Sequence, residues 1–262
     1  MTFDWSFFWS NLLTPRGPFL QGLALTIIIS IAAMVLALII GLVIALMRRS
    51  AFLPFRMFAS FYIWLIRGTP LLVQLVLIYT GFAAAGIFRF SDIDLPGLLI
   101  KAAVQAAIVG LVINESAYIS EIVRSGLDSV PPGQSEAAMT LGMTGASAMR
   151  WVIVPQALRI MVPPLGNSFN GLMKSTSILS VIGVSEMFLV TQSISAATFR
   201  TFEIFAVVAI YYLVLTTVWT VIQAWIEGRL NRMVGIDATP SVVGRLFGGR
   251  AAGPVLNPAD AK

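Results

Sequence analysis

Glu136-Ala137-Ala138, three residues, Gly142, nine residues, then Val152-Ile153-Val154-Pro155: the twenty positions 136–155 decide how the rest of this chain is read. They are polar and helix-turn-helix-like inside a sequence that is otherwise oily. Ser129, followed by Pro131 and Pro132, predicts a capped helix start with proline in the first turn. That helix should reach about Leu141, where Gly142 suits the left-handed residue that ends it. A second short helix is expected after Thr144, stopping at Pro155. Ala137 and Ala138 are small enough for a partner backbone to come close, and Glu136 offers a charge. A bare connector needs only about four residues. A stretch this long between membrane segments reads as a docking surface.

Outward from that stretch the chain is built for lipid. Of 262 residues 58% are apolar and 11% charged, with mean hydropathy +0.89, against about 25% charged in soluble domains. Phe19 to Met47 is 29 residues without a charge, about 43 Å as a helix and enough to cross a core of about 30 Å. It is too long for a signal peptide, follows Asp4, and is closed by no small-residue cleavage site.

Five hydrophobic segments are expected, at about 19–47, 57–88, 98–124, 156–174 and 203–227. Arg48, Arg49 and Arg56, then Arg150 and Arg159, then Arg229, Arg232, Arg245 and Arg250 gather on one side. Arg16, Arg89 and Arg200 lie beside Asp4, Asp92, Asp94 and Glu203 on the other. The positive-inside rule puts the amino terminus outside and the carboxyl terminus in the cytoplasm. Trp5 and Trp9 then fall in the outer interface and Trp64 and Trp225 near the inner one.

Within the second segment Arg67-Gly68-Thr69-Pro70 predicts a kink or a fresh helix start at Pro70. Pro163, Pro164, Gly166 and Gly171 predict a similarly broken fourth segment, tolerable where it is buried in protein or lines a cavity. Residues 178–197 read as a short helix at the outer surface. The organisation is therefore an extracytoplasmic segment 1–18, a transmembrane domain 19–234 with the docking loop 129–155, and a mobile cytoplasmic tail 235–262.

Several chemistries are excluded. There is no cysteine and no histidine, so no disulfide, thiolate site or imidazole base. Gly166 and Gly171 have the glycine spacing of a phosphate loop, but Leu172 and Met173 precede Lys174-Ser175 and no strand leads in. ATP must be handled elsewhere. The net charge of +5 follows from membrane topology, not from nucleic-acid binding.

Polar groups at membrane depth are costly and mark a cavity or a partner. Gln74, Asn114, Glu115 and Ser116, with Lys174, Ser175 and Thr176, could line one path. A carboxylate and an ammonium facing it would suit the two ends of a zwitterion; a structural Glu115–Lys174 pair is the plainer alternative. Glu121 and Arg124 share a helix face, and with Arg67 they suggest a brace or gate.

The 136–155 pattern resembles the ATPase-contacting loop of ABC importer permeases, with Val152 and Val154 where Ile and Leu are favoured. Tyr62–Gln74, carrying Arg67-Gly68-Thr69-Pro70, resembles the polar amino-acid permeases in particular. So do Ala117–Arg124, Pro155–Arg159, Pro163–Asn167 and Ser180–Glu186, in the family's order over roughly residues 20–230. The resemblance implies an all-α polytopic fold of the type I importer permeases, with about five transmembrane helices and a coupling helix between the third and fourth, in a bacterial inner membrane. It also implies ABC ATPase subunits that bind ATP and Mg, a second permease subunit, an extracytoplasmic solute-binding protein and an amino-acid substrate. Coupling would fall to Glu136, Ala137, Ala138, Leu141, Gly142 and Pro155. An ion-gradient-driven secondary transporter and a membrane scaffold are the other classes that an all-helical chain with buried carboxylates admits.

Overall fold

The computed structural model describes residues 3–232, so the expected tail at 235–262 lies outside the described residues. The elements are α1 (Trp5–Leu13), α2 (Gly17–Arg49), α3 (Leu53–Arg67), α4 (Leu71–Ala84), a hairpin of β1 (Ile93–Leu95) and β2 (Leu98–Ile100), and α5 (Ala102–Asp128). Then come α6 (Pro132–Thr140), α7 (Gly145–Ile182), α8 (Met187–Thr198) and α9 (Thr201–Arg232). Helices α2, α5 and α9 are each long and apolar enough to cross a membrane; counting α3–α4 and α7–α8 as bent spans gives five.

Helix α2 is the centre. Its buried face carries Gly22, Thr26, Ser30, Ala33, Ala37, Gly41 and Ala45, a stripe of small residues at three- and four-residue spacing. Between membrane helices there is little hydrophobic drive, and such stripes work by letting backbones approach closely. At Gly41 a Cβ would stand 2.7 Å from Ile119 of α5, so only glycine fits that crossing. The core then runs from Ile29 and Ala33 through Leu75, Leu111 and Ile119 to Ala157, Leu172 and Met173. The opposite face of α2 exposes Ile28, Ile31, Val35 and Ile39, where lipid belongs.

The break at Pro70 is present: α3 and α4 meet at 104°. Other local expectations fail for identifiable reasons. Ser129 does not start the docking helix. It closes α5, its hydroxyl donating to Gly126 O at 2.7 Å, and α6 begins at Pro132. No helix stops at Pro155. A π turn at Met149–Ile153 shifts the hydrogen-bond register just before it, and α7 continues through Pro155.

Nor do Pro163 and Pro164 break α7, which is helical through both. Neighbouring helices can satisfy the disturbed backbone of a membrane helix. Helix α9 packs alongside and adds bonds to the same stretch, Trp219 Nε1 donating to Gly166 O at 2.8 Å and Gln223 Nε2 to Pro163 O at 3.2 Å. The real bend, 54°, comes after Ile182. The expected surface helix at 178–197 is two pieces, a 3₁₀ stretch Thr176–Ile182 and α8. Helix α8 buries Met187, Thr191 and Ser195 against its neighbours instead of lying free. The short β hairpin had no signal in the apolar run that was read as one segment from 98 onward.

Helix α1 is tied to the start of α9. Asp4 caps α1 by accepting from Phe7 N at 2.9 Å and pairs with Arg200, and its own N–H donates to Glu203 at 2.9 Å. Tyr211 donates to Leu12 O at 2.9 Å, and Phe8 packs on Ile204 and Val207.

Candidate functional site: docking helix, charge cluster and polar interior

Helix α6 leaves α5 after a link of three residues, Ser129-Val130-Pro131, of which Val130 is buried. It turns Ala138 inward and leaves Glu136 and Ala137 exposed. Its end is a Schellman motif: Met143 N donates to Ala138 O at 3.1 Å and Gly142 N to Met139 O at 2.9 Å, with Gly142 at φ +83°. The turn pushes Leu141 out to 83% exposure. Thr144 then caps α7 through Ser147 N, and Gln156 donates to Gln134 at 3.2 Å, tying α7 back to α6. Met139, Leu141, Met149 and Trp151 are all exposed, as is Glu136, which makes no ion pair among the described residues. Pro155 lies a few residues beyond, exposed, at the start of the α-helical run of α7. Apolar knobs, the carboxylate of Glu136, the guanidinium of Arg150 over the Trp151 ring and a small-residue face on a rigid turn can seat in a groove of another protein.

Behind α6, at the ends of α2 and α5, stands a cluster of five charges. Glu121 pairs with Arg48 and, at 3.1 Å, with Arg124; Asp128 pairs with Arg49 and, at 3.0 Å, with Arg124. Arg124 thus bridges both acids. The expected partnership of Glu121 and Arg124 is present, while Arg67 stands apart, its guanidinium 5.3 Å over the ring of Tyr118. Arg48, Arg49, Asp128 and Tyr118 were not singled out from the sequence. The two arginines had been read as topology signals only.

Deeper in α5, three consecutive residues reach three other elements. Asn114 donates to Gln74 of α4 at 3.0 Å. Glu115 accepts from Ser168 of α7. Ser116 shares a 2.7 Å hydrogen bond with Tyr62 of α3, which also donates to Ile113 O at 2.8 Å. Gln74 in turn gives its amide to Ile66 O at 2.8 Å and to Thr69 Oγ1 at 2.8 Å. Lys174 is exposed and forms no ion pair with Glu115. Ser175 is half-buried, and Thr176 is buried with its hydroxyl on Met173 O at 2.8 Å. The structure therefore brings Gln74, Asn114, Glu115 and Ser116 into one polar layer and leaves Lys174–Thr176 on α7.

Sequence reasoning missed Glu186. It is fully buried, caps α8 by accepting from Phe188 N and Leu189 N, both at 2.8 Å, and takes hydroxyls from Tyr212 at 3.3 Å and Thr26 at 3.4 Å. A carboxylate just before an apolar run is an N-cap signal that could have found it.

A bundle of candidate membrane spans interrupted by an exposed, capped turn fits a subunit of a multi-component membrane transporter. The sequence profile of the binding-protein-dependent transport system inner membrane component family matches residues 37–232, and the chain belongs to that family. It is 37% identical over 231 residues to a probable amino-acid permease protein, YxeN, of Bacillus subtilis, covering 88% of this chain and 97% of that one. It is likewise 37% identical over 232 residues to the glutamine transport system permease protein GlnP of Escherichia coli, covering 88% and 99%. Among solved structures it resembles an amino acid ABC transporter with histidines at TM-score 0.75 and 40% identity, covering 87% and 100%. The MetNI methionine ABC transporter, at TM-score 0.60 and 19% identity, shares the fold, with 87% and 99% covered. The chain is thus a transport subunit and not an enzyme, with the type I importer permease fold in an inner membrane. Its family implies an ATPase, a binding protein and a second permease as companions.

Proposed function

We propose that this chain forms half of the translocation path of an ATP-driven importer for polar amino acids or related small zwitterions. A second permease, the same chain or a homologous one, completes the path. A pair of ATPase subunits docks on the two α6 turns, and an extracytoplasmic protein delivers solute at the opposite end. The amino terminus lies outside and the carboxyl terminus in the cytoplasm. The observation that carries this reading is α6 itself: Glu136, Ala137, Leu141 and Gly142 stand exposed on a capped turn joined by three residues to α5, the most buried of the three long spans.

The coupling is mechanical. Closure of the ATPase pair displaces α6, α5 moves with it, and the polar layer at Asn114–Ser116 shifts against α3, α4 and α7. Taking a two-state population from 1:99 to 99:1 requires about 5.5 kcal/mol, within reach of nucleotide binding delivered through two rigid turns. Arg48, Arg49, Glu121, Arg124 and Asp128 brace the end that receives the push, with Arg67 against Tyr118 as the adjoining gate element. Glu115 and Lys174 provide the charges that meet a zwitterion. Gln74, Asn114, Ser116, Ser175 and Thr176 frame that path.

Reconstitution tests the reading. The chain with its ATPase and binding protein in liposomes should accumulate labelled amino acids only with internal or external ATP on the ATPase side. Uphill uptake by the chain alone under a proton or sodium gradient would replace this proposal with a secondary transporter.

A further inference from the structure

We propose that α3 lies in the plane of the bilayer and binds acidic phospholipids of the leaflet on the docking-helix side. Helix α4 runs beside α5, with Leu75 against Gly110 and Gln74 on Asn114, and α5 crosses the membrane. Since α3 meets α4 at 104°, its axis is close to perpendicular to that crossing. Its level is fixed by its contacts. Ala59 and Ile63 pack on Ile44, near the end of α2, and Arg67 sits over Tyr118, one turn short of the Glu121 cluster. That is the depth of a headgroup boundary.

The surface of α3 suits the place. Only the stripe Ala59, Ile63 and Ile66 is buried. The opposite face exposes Met57, Phe61 and Trp64 at spacing of four and three, flanked by Leu53, Phe58 and Leu65. Between the two faces Arg56, Ser60 and Arg67 fall on one flank, at i, i+4 and i+11. Amphipathic helices that lie in an interface combine an aromatic apolar face with arginines able to extend to headgroups. From Trp5 to Ser91 there is no Asp or Glu, so nothing nearby on this stretch of chain neutralises the flank.

Charge also selects the occupant. Two copies meeting face to face through α3 would set like arginines against one another with no acid on the helix to pair them. Phosphate-bearing acidic lipid supplies the missing charge. The choice of leaflet rests on the docking assignment proposed above; the lipid contact does not.

The chain has no cysteine, which makes a site-specific test direct. A fluorophore is placed on Phe61→Cys, Trp64→Cys or, as an aqueous control, Leu141→Cys in the complex assembled with cysteine-free partners. Vesicles of phosphatidylcholine and phosphatidylglycerol carry bromine on the acyl chains of one lipid or the other, at equal mole fraction. Labels at 61 and 64 should be quenched and the label at 141 not. Brominated phosphatidylglycerol should be enriched at the label about fivefold for each arginine held at the surface. Arg56→Gln with Arg67→Gln should erase that preference. Equal quenching by both lipids in the unaltered flank overturns the acidic-lipid assignment. Absence of quenching at 61 and 64 gives the face to a second permease chain or another protein and overturns the proposal whole. The measurement needs neither ATP nor solute, so its failure leaves the importer reading intact. Loss of ATP-coupled uptake with quenching preserved would sink only that reading.

Discussion

Gln74 reaches back across the elbow that precedes it: its amide nitrogen lies 2.8 Å from the carbonyl oxygen of Ile66, on the far side of a 104° bend. The same nitrogen serves Thr69, and its oxygen accepts from Asn114 of α5 at 3.0 Å. One side chain therefore closes the break at Pro70 and fastens it to a neighbouring span.

Gln74→Leu should lower stability by about 1–3 kcal/mol, since it leaves the buried Asn114 donor and the Ile66 carbonyl unpaired. Thermal unfolding in detergent measures this. An unchanged midpoint would mean the elbow holds without its clamp.

Glu136→Lys and Gly142→Asp should leave the protein inserted and folded while abolishing solute-stimulated ATP hydrolysis in the assembled complex. The first reverses the free charge on α6; the second adds a side chain at φ +83°, where L-residues are disfavoured by about 1 kcal/mol. Normal uptake by both variants would remove α6 from the coupling route.

Glu115→Gln keeps the size and the Ser168 partner but removes the charge. Affinity or preference among amino acids should change, read as a shift in KM or in the rank order of a labelled panel. Identical kinetics would reduce Glu115 to a tie between α5 and α7.

Gly41→Leu should destabilise the α2–α5 crossing by about 1–3 kcal/mol through overpacking, because the first added carbon already stands 2.7 Å from Ile119. Gly133, with open space around it, is the control site: Gly133→Ala should be close to neutral.

The Phe7 N–H above all holds the Asp4 carboxyl below its ordinary range; burial opposes it, and Arg200 adds to the lowering. A carboxylate with a lowered folded-state pKa contributes its full stability above the unfolded value near 4 and loses it as the pH falls through the folded value below that. Amide protection in α1 should therefore drop at acid pH, and Asp4→Asn should flatten the profile. A profile unchanged by the substitution would assign the anchoring of α1 to Phe8 and Tyr211 instead.

How much of this was legible follows from where each signal lies. Charge-free runs of spanning length mark α2 and α9, and Gly142 and Pro70 mark their own turns, because each effect is local. Pro163 and Pro164 misled because α7 is held straight by packing against α9, where Trp219 and Gln223, more than fifty residues away, bond to the same stretch. Ser129 was assigned to the wrong helix since α5 and α6 nearly abut, and a hydroxyl there can close one as readily as open the other. Of the polar residues expected along one path, Gln74, Asn114, Glu115 and Ser116 fall together, whereas Lys174, Ser175 and Thr176 make no side-chain hydrogen bond to them and Tyr62 and Ser168 were not singled out. Nothing in Asn114-Glu115-Ser116 says that each will meet a different helix, as successive residues point about 100° apart only once the helix exists. The charge cluster was half seen: Glu121 and Arg124 are local to α5, whereas Arg48 and Arg49 arrive from α2.

The tight crossing of Gly41 and Ile119 has a geometric consequence for α5. A stiff rod pivoting there has arms of about 14 Å toward Asp128 and about 26 Å toward Ala102. A stroke at the short arm is nearly doubled at the long one, so under the coupling proposed above a small displacement near Asp128 becomes a wider one near Ala102.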